Sequence, residues 1–462
     1  MSALDASSSN PRYVELPGFI EPSEDGVARA FTEAHGQYLK FDHDANTWYG
    51  WQGDHWGKEG TGKAFNYCRE LARTASEGLK QDMQAKLRRA SFATGVERMA
   101  RCDPVHAVNA DEWNADPWQL GCPNGTVNLR TGEVDDPHPS DRITRVTAVA
   151  PALTPHCPTW LSFLRQATGG DLEMVAFLKR WCGYSLTGST REHALIFLYG
   201  PGGNGKSVFL NSVSGILGGY ATIAAMDVFT ASKTSQHLTF LAMLDGARMV
   251  TASETEEGRA WAEARIKQMT GGDPITANYM RQDPFTFTPQ FKLTIVGNHQ
   301  PVLHNVDDAA RRRFNIVPFT VKPSNPDRDL EAKLKREWPG ILRWMIEGCL
   351  EWQEHGLRPP ESVLAATAAY FEDQDFVGQW LADKTVVEPA NDHRWETAAD
   401  LFSSWKDYAL AAGESPGTSK SLASKLTRHG LRRVTKKMQG SAKRAWLGVS
   451  LNRPEGWHDV DG

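Results

Sequence analysis

A glycine-rich run that ends in lysine and serine is the most chemically informative part of the chain. The apolar stretch Leu195–Tyr199 is typical of a buried strand, and Gly200–Ser207 follows it with the spacing G-x-x-x-x-G-K-S. Glycines permit backbone conformations in which successive amides point inward at a phosphate. Lys206 adds positive charge, and Ser207 adds a hydroxyl that can bind Mg²⁺. Because Val208–Leu217 is typical of a helix, and helix N-termini favour anions, this order predicts a nucleoside triphosphate site rather than a chance glycine turn.

Two further strands are predicted to bring polar groups to that loop. Arg248–Glu254 is a short apolar strand that ends in an acid, which can hold Mg²⁺ and orient water. Two more glutamates follow at once, and a solvated acidic turn accounts for those two better than for Glu254. Asn298 ends the strand Phe291–Asn298 and can sense a γ-phosphate or the attacking water. An asparagine after a strand is usually a turn residue, but beside the other motifs the sensing role is favoured.

Three consecutive arginines, Arg311–Arg313, precede the apolar strand Phe314–Phe319. A solvated charge run is one interpretation. The other is an arginine finger, which stabilises the negative charge of a phosphoryl-transfer transition state.

In this order the motifs resemble those of superfamily 3 helicases. They resemble more closely the helicase half of phage and plasmid primase-helicases, the group related to the poxvirus-type replicative helicase. The segments that carry the resemblance are Gly200–Ser207 (Walker A), Ala252–Gly258 (Walker B), Lys267–Thr276, Phe285–Pro289, Gly297–Pro301 (motif C) and the arginine run. Upstream, the segments similar to that family's pre-helicase domain are Trp48-Tyr49, Asn124-Gly125 and Arg180–Gly188. One departure is Ser253, which stands where many relatives carry the first of two acids and so places more weight on Glu254.

The resemblance implies a role for each matching residue. Lys206 and Ser207 contact phosphate and metal, Glu254 activates water, and Asn298 is the sensor. Arg312 is the finger that reaches a neighbouring subunit's site, with Arg313 as the fallback. The implied catalytic residues are Lys206, Glu254, Asn298, Arg312 and Arg313, and the implied metal ligands are Ser207 and Glu254. The implied nucleotide-binding residues are Gly200, Pro201, Gly202, Gly203, Asn204, Gly205, Lys206, Ser207 and Lys267.

The resemblance also places a DNA-contacting β-hairpin between Ile275 and Pro289. Its tip is predicted at Arg281 and Gln282, with Tyr279 nearby. Arginine and tyrosine there suit backbone neutralisation and stacking on single-stranded DNA.

The implied activity is that of an ATP-dependent replicative DNA helicase of a phage, prophage or plasmid. The family moves 3′ to 5′ on single-stranded DNA as a hexameric ring, with ATP and Mg²⁺ as cofactors. Single-stranded and forked DNA, further copies of the chain and a separate primase or polymerase are the expected partners. Fewer than 200 residues precede the Walker A loop, so no primase domain is evident. The alternatives are a bifunctional primase-helicase and an ATP-switched, origin-binding initiator that is not a processive motor.

The composition of the chain limits the kinds of partner and site that we expect. The chain has 462 residues and a net charge of −5, so any nucleic-acid contact must come from local basic patches. Six scattered cysteines without a C-x-x-C pair argue against a zinc site or a disulfide framework. With no signal peptide and no apolar run of membrane-spanning length, we expect no membrane partner and a cytoplasmic location, in a bacterial host.

One such basic patch is predicted near the C-terminus. Residues 418–445 contain nine lysines and arginines and no acid, on two predicted helices (Ala398–Ala411, Ser419–His429) and the β-like runs after them. Helices followed by a basic hairpin suit a winged helix; a solvated basic face is the alternative. The predicted DNA-binding residues are Tyr279, Arg281, Gln282, Lys420, Lys425, Arg428, Arg432, Arg433, Lys436 and Lys437.

The expected fold class is α/β: an AAA+-like P-loop NTPase core with an N-terminal α+β domain and a C-terminal winged-helix-like domain. The predicted bounds are a disordered leader (1–20), the pre-helicase domain (21–155), a helical linker or collar (156–190), the ATPase core (191–355), a linker (356–379) and the DNA-binding domain (380–462).

Overall fold

The computed structural model describes residues 18–230, 238–254, 260–279, 283–303, 308–412, 415–438 and 441–452. Nearly all of the predicted leader, 1–20, lies outside the described residues. The chain divides into two compact units, one of Met1–Pro301 with Arg312–Leu364 and one of Val302–Arg311 with Ala365–Gly462. Both units mix helices and strands, so the predicted α/β class is confirmed.

The first unit begins with a helical cluster beside a small sheet. Its elements are α1 (Glu24–His35), β1 (Leu39–Asp42), β2 (Thr47–Trp51), β3 (Trp56–Lys58), α2 (Lys63–Ala75), α3 (Gln81–Leu87), α4 (Ala90–Arg101) and β4 (Ala107–Val108). Strands β1 and β2 form a hairpin, in which Phe41 of β1 pairs antiparallel with Trp48 of β2. The buried side chains of α2, α3 and α4 share one core with those of α1.

A three-stranded antiparallel sheet and two helices lead to the glycine-rich loop. They are β5 (Gln119–Cys122), β6 (Gly125–Asn128), β7 (Glu133–Asp135), α5 (Pro158–Ala167) and α6 (Leu172–Leu186). Helix α6 starts at Leu172 because the Asp171 carboxylate caps it, accepting a hydrogen bond from the Met174 amide at 2.9 Å. Trp181 on α6 donates its indole N–H to Thr294 Oγ1 at 3.0 Å.

A parallel five-stranded sheet forms the centre of the first unit. Three of its strands are β8 (Leu195–Tyr199), β9 (Ala221–Ile223) and β10 (Met249–Glu254). The other two strands come later in the chain and are described in the next paragraph. The intervening helices are α7 (Lys206–Leu217), α8 (Leu238–Ala242) and α9 (Glu263–Gly271). Strand β8 is almost wholly buried, as expected for a strand covered on both faces.

Beyond α9 the chain forms a hairpin and then completes the sheet. The hairpin strands are β11 (Ile275–Ala277) and β12 (Phe285–Phe287), which pair antiparallel where a hairpin was predicted. The remaining elements are β13 (Lys292–Gly297), α10 (Asp308–Arg311) and β14 (Phe314–Pro318). The strand order in the sheet is β14-β8-β13-β10-β9, so the first strand in sequence lies between the last two.

The long helix α11 (Leu330–His355) packs against α6 without space for side chains between them. A Cβ placed on Gly183 of α6 would collide with the backbone of Gly348 and Cys349. A Cβ on Gly348 would collide with the Lys179 carbonyl. The two backbones therefore touch directly.

The second unit contains a compact helical and β-structured core. Its elements after α12 (Glu361–Gln374) are α13 (Phe376–Lys384), β15 (Thr385–Val387), β16 (Trp395–Thr397), α14 (Ala398–Ala411), α15 (Ser419–Arg428), β17 (Arg432–Met438), β18 (Ser441–Leu447) and β19 (Val449–Leu451). Both predicted helices are confirmed. They begin at threonine caps, since Thr397 and Thr418 accept from the amides of Asp400 and Ser421.

Candidate active site

The glycine-rich loop joins β8 to α7 in a conformation that requires glycine. Gly203 and Gly205 have φ of 81° and 88°, values that favour glycine. A Cβ on Gly200 would collide with the Phe319 carbonyl, and one on Gly205 would press on the Phe163 ring. The loop is therefore a cradle of backbone that side chains cannot fill, at the N-terminus of a 12-residue helix.

Lys206 is the first residue of α7, and its side chain lies inside this loop. Only 6% of the residue is exposed. Its Nζ donates to the Gly200 carbonyl at 2.5 Å, to Asn204 Oδ1 at 3.0 Å and to Asn298 Oδ1 at 3.1 Å. Burial lowers the pKa of the ammonium, because desolvation disfavours its charge. A partly desolvated cation at this position is suited to attract the phosphates of a nucleotide.

Asn298 lies beside the loop, as the sequence predicted. It follows β13, whose Gly297 is the parallel partner of Tyr199 at the end of β8. The carboxyl ends of these two strands meet at one edge of the sheet, and that edge brings Asn298 Oδ1 to Lys206 Nζ.

The backbones of the two predicted metal ligands, Glu254 and Ser207, lie at the same edge. Glu254 is the last residue of β10 and pairs with Gly297 of β13. Ser207 is exposed at the second position of α7. The two glutamates that follow Glu254 by two and three positions lie outside the described residues. Serine and glutamate are both oxygen-donor residues of the kind that suit Mg²⁺.

The arginines occupy the opposite edge of the sheet. The Arg313 carbonyl accepts from the amide of Leu195, the first residue of β8, at 2.8 Å. Strand β8 has five residues, so this edge lies ~16 Å along the strand from the glycine loop, at about 3.3 Å per residue. Arg313 Nε donates to Thr270 Oγ1 at 3.2 Å, whereas Arg312 is exposed. Neither arginine starts from the edge that carries Lys206.

Lys267 lies near the same edge of the sheet as Arg312 and Arg313. It lies on α9, one turn before Thr270, which contacts both Arg313 and the His193 ring. The structure thus brings Lys206, Asn298 and the end of β10 together at one edge, and places Lys267, Arg312 and Arg313 at the other.

The predicted DNA-contacting hairpin is described up to its tip. Tyr279 is 44% exposed, and its ring stacks on Phe285 of β12 with centroids 5.3 Å apart. Its hydroxyl donates to the Ala242 carbonyl at 3.4 Å. Arg281 and Gln282 lie outside the described residues.

The basic residues of the second unit lie on α15 and β17. Lys420, Lys425 and Arg428 are on α15, and Arg432, Arg433, Lys436 and Lys437 are on β17. Two of the strand cations lie over indole rings. Arg433 lies 5.6 Å from the Trp446 ring and Lys436 lies 5.8 Å from that of Trp395. Lys437 and Lys420 are exposed.

Sequence reasoning missed two buried cations, Arg248 and Lys292, at the starts of β10 and β13 in the central sheet. Arg248 donates to the carbonyls of Leu186 and Gln119, each at 2.6 Å, and Lys292 donates to the Thr187 carbonyl. Both are nearly fully buried, and desolvation lowers the pKa of each. They satisfy carbonyls at the C-terminus of α6. The only sequence signal was a lysine or arginine at the start of an apolar strand.

Two family models match the chain. Residues 28–169 match the family described as D5 N terminal like, and residues 198–313 match a family of unknown function, DUF5906. The second match includes the glycine loop, Asn298 and the arginines.

Two viral proteins named as helicases are similar to the chain. Protein L207/L206 of Acanthamoeba polyphaga mimivirus is 26% identical over 336 residues, which are 66% of this chain and 34% of that protein. Protein 022R of Frog virus 3 (isolate Goorha) is 24% identical over 254 residues, which are 50% of this chain and 26% of that protein. The chain thus spans about a third and a quarter of the lengths of these relatives.

Among solved structures, the A form of the apo NrS-1 C-terminal region has a TM-score of 0.48 and 11% identity. That comparison covers 93% of this chain and all of the NrS-1 region. A second apo structure of the same region gives a TM-score of 0.47 at 12% identity.

Together, the family matches and the helicase-named relatives confirm the predicted resemblance to the D5-like primase-helicases. Among the described helices, none combines the length and apolar character needed to cross a membrane.

Proposed function

We propose that the chain is an ATP-dependent DNA helicase with an AAA+-like P-loop core. The observation that carries this proposal is the contact of Lys206 Nζ with Asn298 Oδ1 inside a glycine cradle, at the edge where β10 also ends. A buried cation, an amide and a strand-terminal acid meeting at one edge suit phosphoryl transfer, because that reaction is catalysed mainly by positioning and charge.

In this proposal each residue has a defined task. The loop amides and Lys206 hold the β- and γ-phosphates of ATP, and Ser207 and Glu254 are the residues that would hold Mg²⁺. Bound Mg²⁺ would supply charge neutralisation on the phosphates. Asn298 already contacts Lys206, so it is placed to orient the attacking water relative to the γ-phosphate.

The position of the arginines supports action between subunits. Arg312 and Arg313 start from the edge of the sheet ~16 Å from the loop, too far for an arginine side chain to reach its own site. In a ring, that edge of one subunit can face the nucleotide of the next. We therefore propose a hexameric ring in which Arg312 completes the neighbouring site.

The hairpin of β11 and β12 supplies the proposed contact with single-stranded DNA. Its exposed Tyr279 ring offers a face for base stacking. Nucleotide-driven movement of these hairpins would carry the strand through the ring in the 3′ to 5′ direction. The α15 helix and β17 strand, in a winged-helix-like arrangement, would contact duplex DNA through their lysines and arginines.

The direct test is displacement of a labelled strand from forked DNA with ATP and Mg²⁺. We expect unwinding of a fork with a 3′ single-stranded tail and none with only a 5′ tail. Lys206→Ala is expected to abolish both hydrolysis and displacement while leaving the circular dichroism spectrum unchanged. Lys333→Ala, which removes an exposed lysine paired with Asp327, is the matched control and should retain both activities.

Other outcomes of the same test separate the alternatives. Hydrolysis without strand displacement on either fork would refute the motor and favour an ATP-switched initiator. Primer synthesis on a single-stranded template with all four nucleotides would indicate a bifunctional primase-helicase. Electron micrographs with a non-hydrolysable ATP analogue would show whether rings form.

A further inference from the structure

A cleft in the helical cluster of α2, α3 and α4 concentrates arginine side chains outside the proposed active site. Its volume is about 490 Å³. It is lined by four exposed arginines (Arg69, Arg73, Arg88 and Arg89), one glutamate (Glu77) and two buried apolar side chains at its floor. Four positive groups against one negative group make this a site for an anion.

The four arginines of the cleft differ in how their guanidinium groups are engaged by the described residues. Arg69 donates to Asn66 Oδ1 at 3.1 Å, and Arg88 Nε donates to Ser76 Oγ at 3.2 Å. Within the described part of the chain, the guanidinium groups of Arg73 and Arg89 have no hydrogen-bond or ion-pair partner. Their donors are therefore available to a ligand.

The surroundings of the cleft reinforce its charge. The segment 63–101, from α2 to α4, carries nine lysines and arginines against four acids, although the whole chain has a net charge of −5. Arg69 and Arg73 are one helical turn apart and so share a face of α2. Arg88 and Arg89 lie in the turn that leads into α4. The arginines thus approach the cleft from two elements.

We propose that this arginine cleft binds the phosphate backbone of a nucleic acid. Guanidinium groups bind phosphates through paired hydrogen bonds, and arginine is the preferred residue for this contact. Four such groups spread over two elements suit successive phosphates of a strand. The lining offers little apolar surface, which disfavours a hydrophobic ligand. The proposal adds a third nucleic-acid contact, separate from the hairpin and the second unit, and it does not depend on ATP hydrolysis.

The test measures binding of the full chain to labelled DNA without nucleotide, across a salt series, by fluorescence anisotropy. The variant is Arg73→Ala/Arg89→Ala, since these two guanidinium groups have no hydrogen-bond or ion-pair partner among the described residues. If each arginine contacts one phosphate, the slope of log K against log salt should become shallower by about 1.4 for single strands or about 1.8 for duplex. The two substrates show which form of DNA the cleft holds. The matched control, Lys63→Ala/Arg98→Ala, removes two exposed charges of α2 and α4 that do not line the cleft, and should change neither slope.

Three results would overturn the proposal. One is a variant with wild-type affinity and slope on both substrates. Another is an equal loss in the control, which would indicate a general charge effect. In the third result, tripolyphosphate raises the melting temperature of the wild type but not of the variant, while both bind DNA equally. The cleft would then be a site for a small polyanion only. Basal ATPase activity, measured in parallel, should be unchanged in both variants, so failure of this proposal is distinct from failure of the proposed helicase function.

Discussion

Asn298 shows how a single amide can be tested for a catalytic role. Its Oδ1 accepts from Lys206 Nζ, so it lies beside the proposed phosphate-binding lysine. We expect Asn298→Ala to lower kcat for ATP hydrolysis by roughly 10²-fold, the cost of losing one preorganised polar group, with little change in nucleotide affinity. Single-turnover hydrolysis and equilibrium nucleotide binding measure the two quantities.

The control for this prediction is Asn211→Ala. Asn211 lies on α7 close in sequence to the loop, but its side chain is exposed and donates to Glu331. That variant should hydrolyse ATP at the wild-type rate. An unchanged kcat in Asn298→Ala would mean that Asn298 is only a turn residue and has no catalytic role.

Arg312 is the residue whose role depends most on assembly. Its substitution by alanine should reduce hydrolysis by roughly 10³- to 10⁵-fold, the range for arginine fingers. If it acts on the neighbouring site, mixing Arg312→Ala with Lys206→Ala subunits should restore part of the activity at hybrid interfaces. Steady-state ATPase of the mixture, with mixing verified by labelled subunits, measures this.

Arg311→Ala is the neighbouring control, since its guanidinium lies over the Phe371 ring at 5.0 Å. It should keep the wild-type rate. Absence of any recovery in verified mixed assemblies would argue for Arg313, or for action within one subunit.

At the scale of single residues, the sequence predicted which side chains meet at the glycine loop. It did not predict the positions of the cations at the other end of the sheet. Lys206 and Asn298 follow strands, and the carboxyl ends of parallel strands share an edge, so their meeting could be anticipated. The position of Arg313 could not, because it depends on β14 pairing with β8 at the outside of the sheet. Arg248 and Lys292 were missed because their burial depends on carbonyls of α6, more than 60 positions earlier.

Among the elements, helices with capping residues were predicted most closely. Ala398–Ala411 is found as predicted, since Thr397 followed by Asp400 marks its start. The starts of α3 and α4 are hard to predict from sequence, because both helices begin without a side-chain cap. Short strands such as β3 and β4 were not anticipated, since two or three residues carry no periodicity.

The packing of α1 against its neighbours makes this helical cluster sensitive to acid. His35 stacks on Tyr67 with centroids 4.3 Å apart, and burial, with a smaller effect from His106, lowers its pKa from 6.5 to about 4. The unfolded chain therefore binds more protons than the folded chain between these values, and stability falls as pH drops through that window. From pH 7 to pH 5 the loss from His35 is about 2 kcal/mol.

Hydrogen exchange of the full chain, corrected for intrinsic rates, should show α1 and α2 amides opening more readily at pH 5 than at pH 7. His35→Phe keeps an aromatic ring against Tyr67 and should remove most of this dependence, leaving the smaller part due to the buried His106. His393→Phe, at an exposed position of the second unit, is the control and should behave as wild type. Equal pH dependence in wild type and His35→Phe would refute the assignment.

For the molecule as a whole, the prediction concerns the contribution of the second unit to binding of duplex DNA. Its basic residues are on α15 and β17, and several are exposed. We expect Lys420→Ala/Lys437→Ala to weaken duplex binding and to make the slope of log K against log salt shallower by about 1.8, the change for two lost phosphate contacts. Basal ATPase should not change, because both lysines lie outside the unit that holds the glycine loop.

Lys384→Ala/Lys406→Ala is the matched control for this experiment. Both lysines are exposed in the same unit but lie outside the basic helix and strand. Identical slopes for wild type and Lys420→Ala/Lys437→Ala would mean that the basic face is only solvated. Equal losses in both double variants would instead mean that charge matters without a defined site.

The direct contact of the α6 and α11 backbones has a consequence for how this protein tolerates mutation. At Gly183 and Gly348 even a methyl group has no room, and the atoms in its way are main-chain atoms that cannot turn aside. A saturation library selected only for expression should therefore lose every variant at both positions, alanine included. On a map of mutational tolerance the two glycines would look as indispensable as Lys206, although they perform no chemistry. Intolerance to substitution thus needs a separate readout of folding before it is taken to mark an active site.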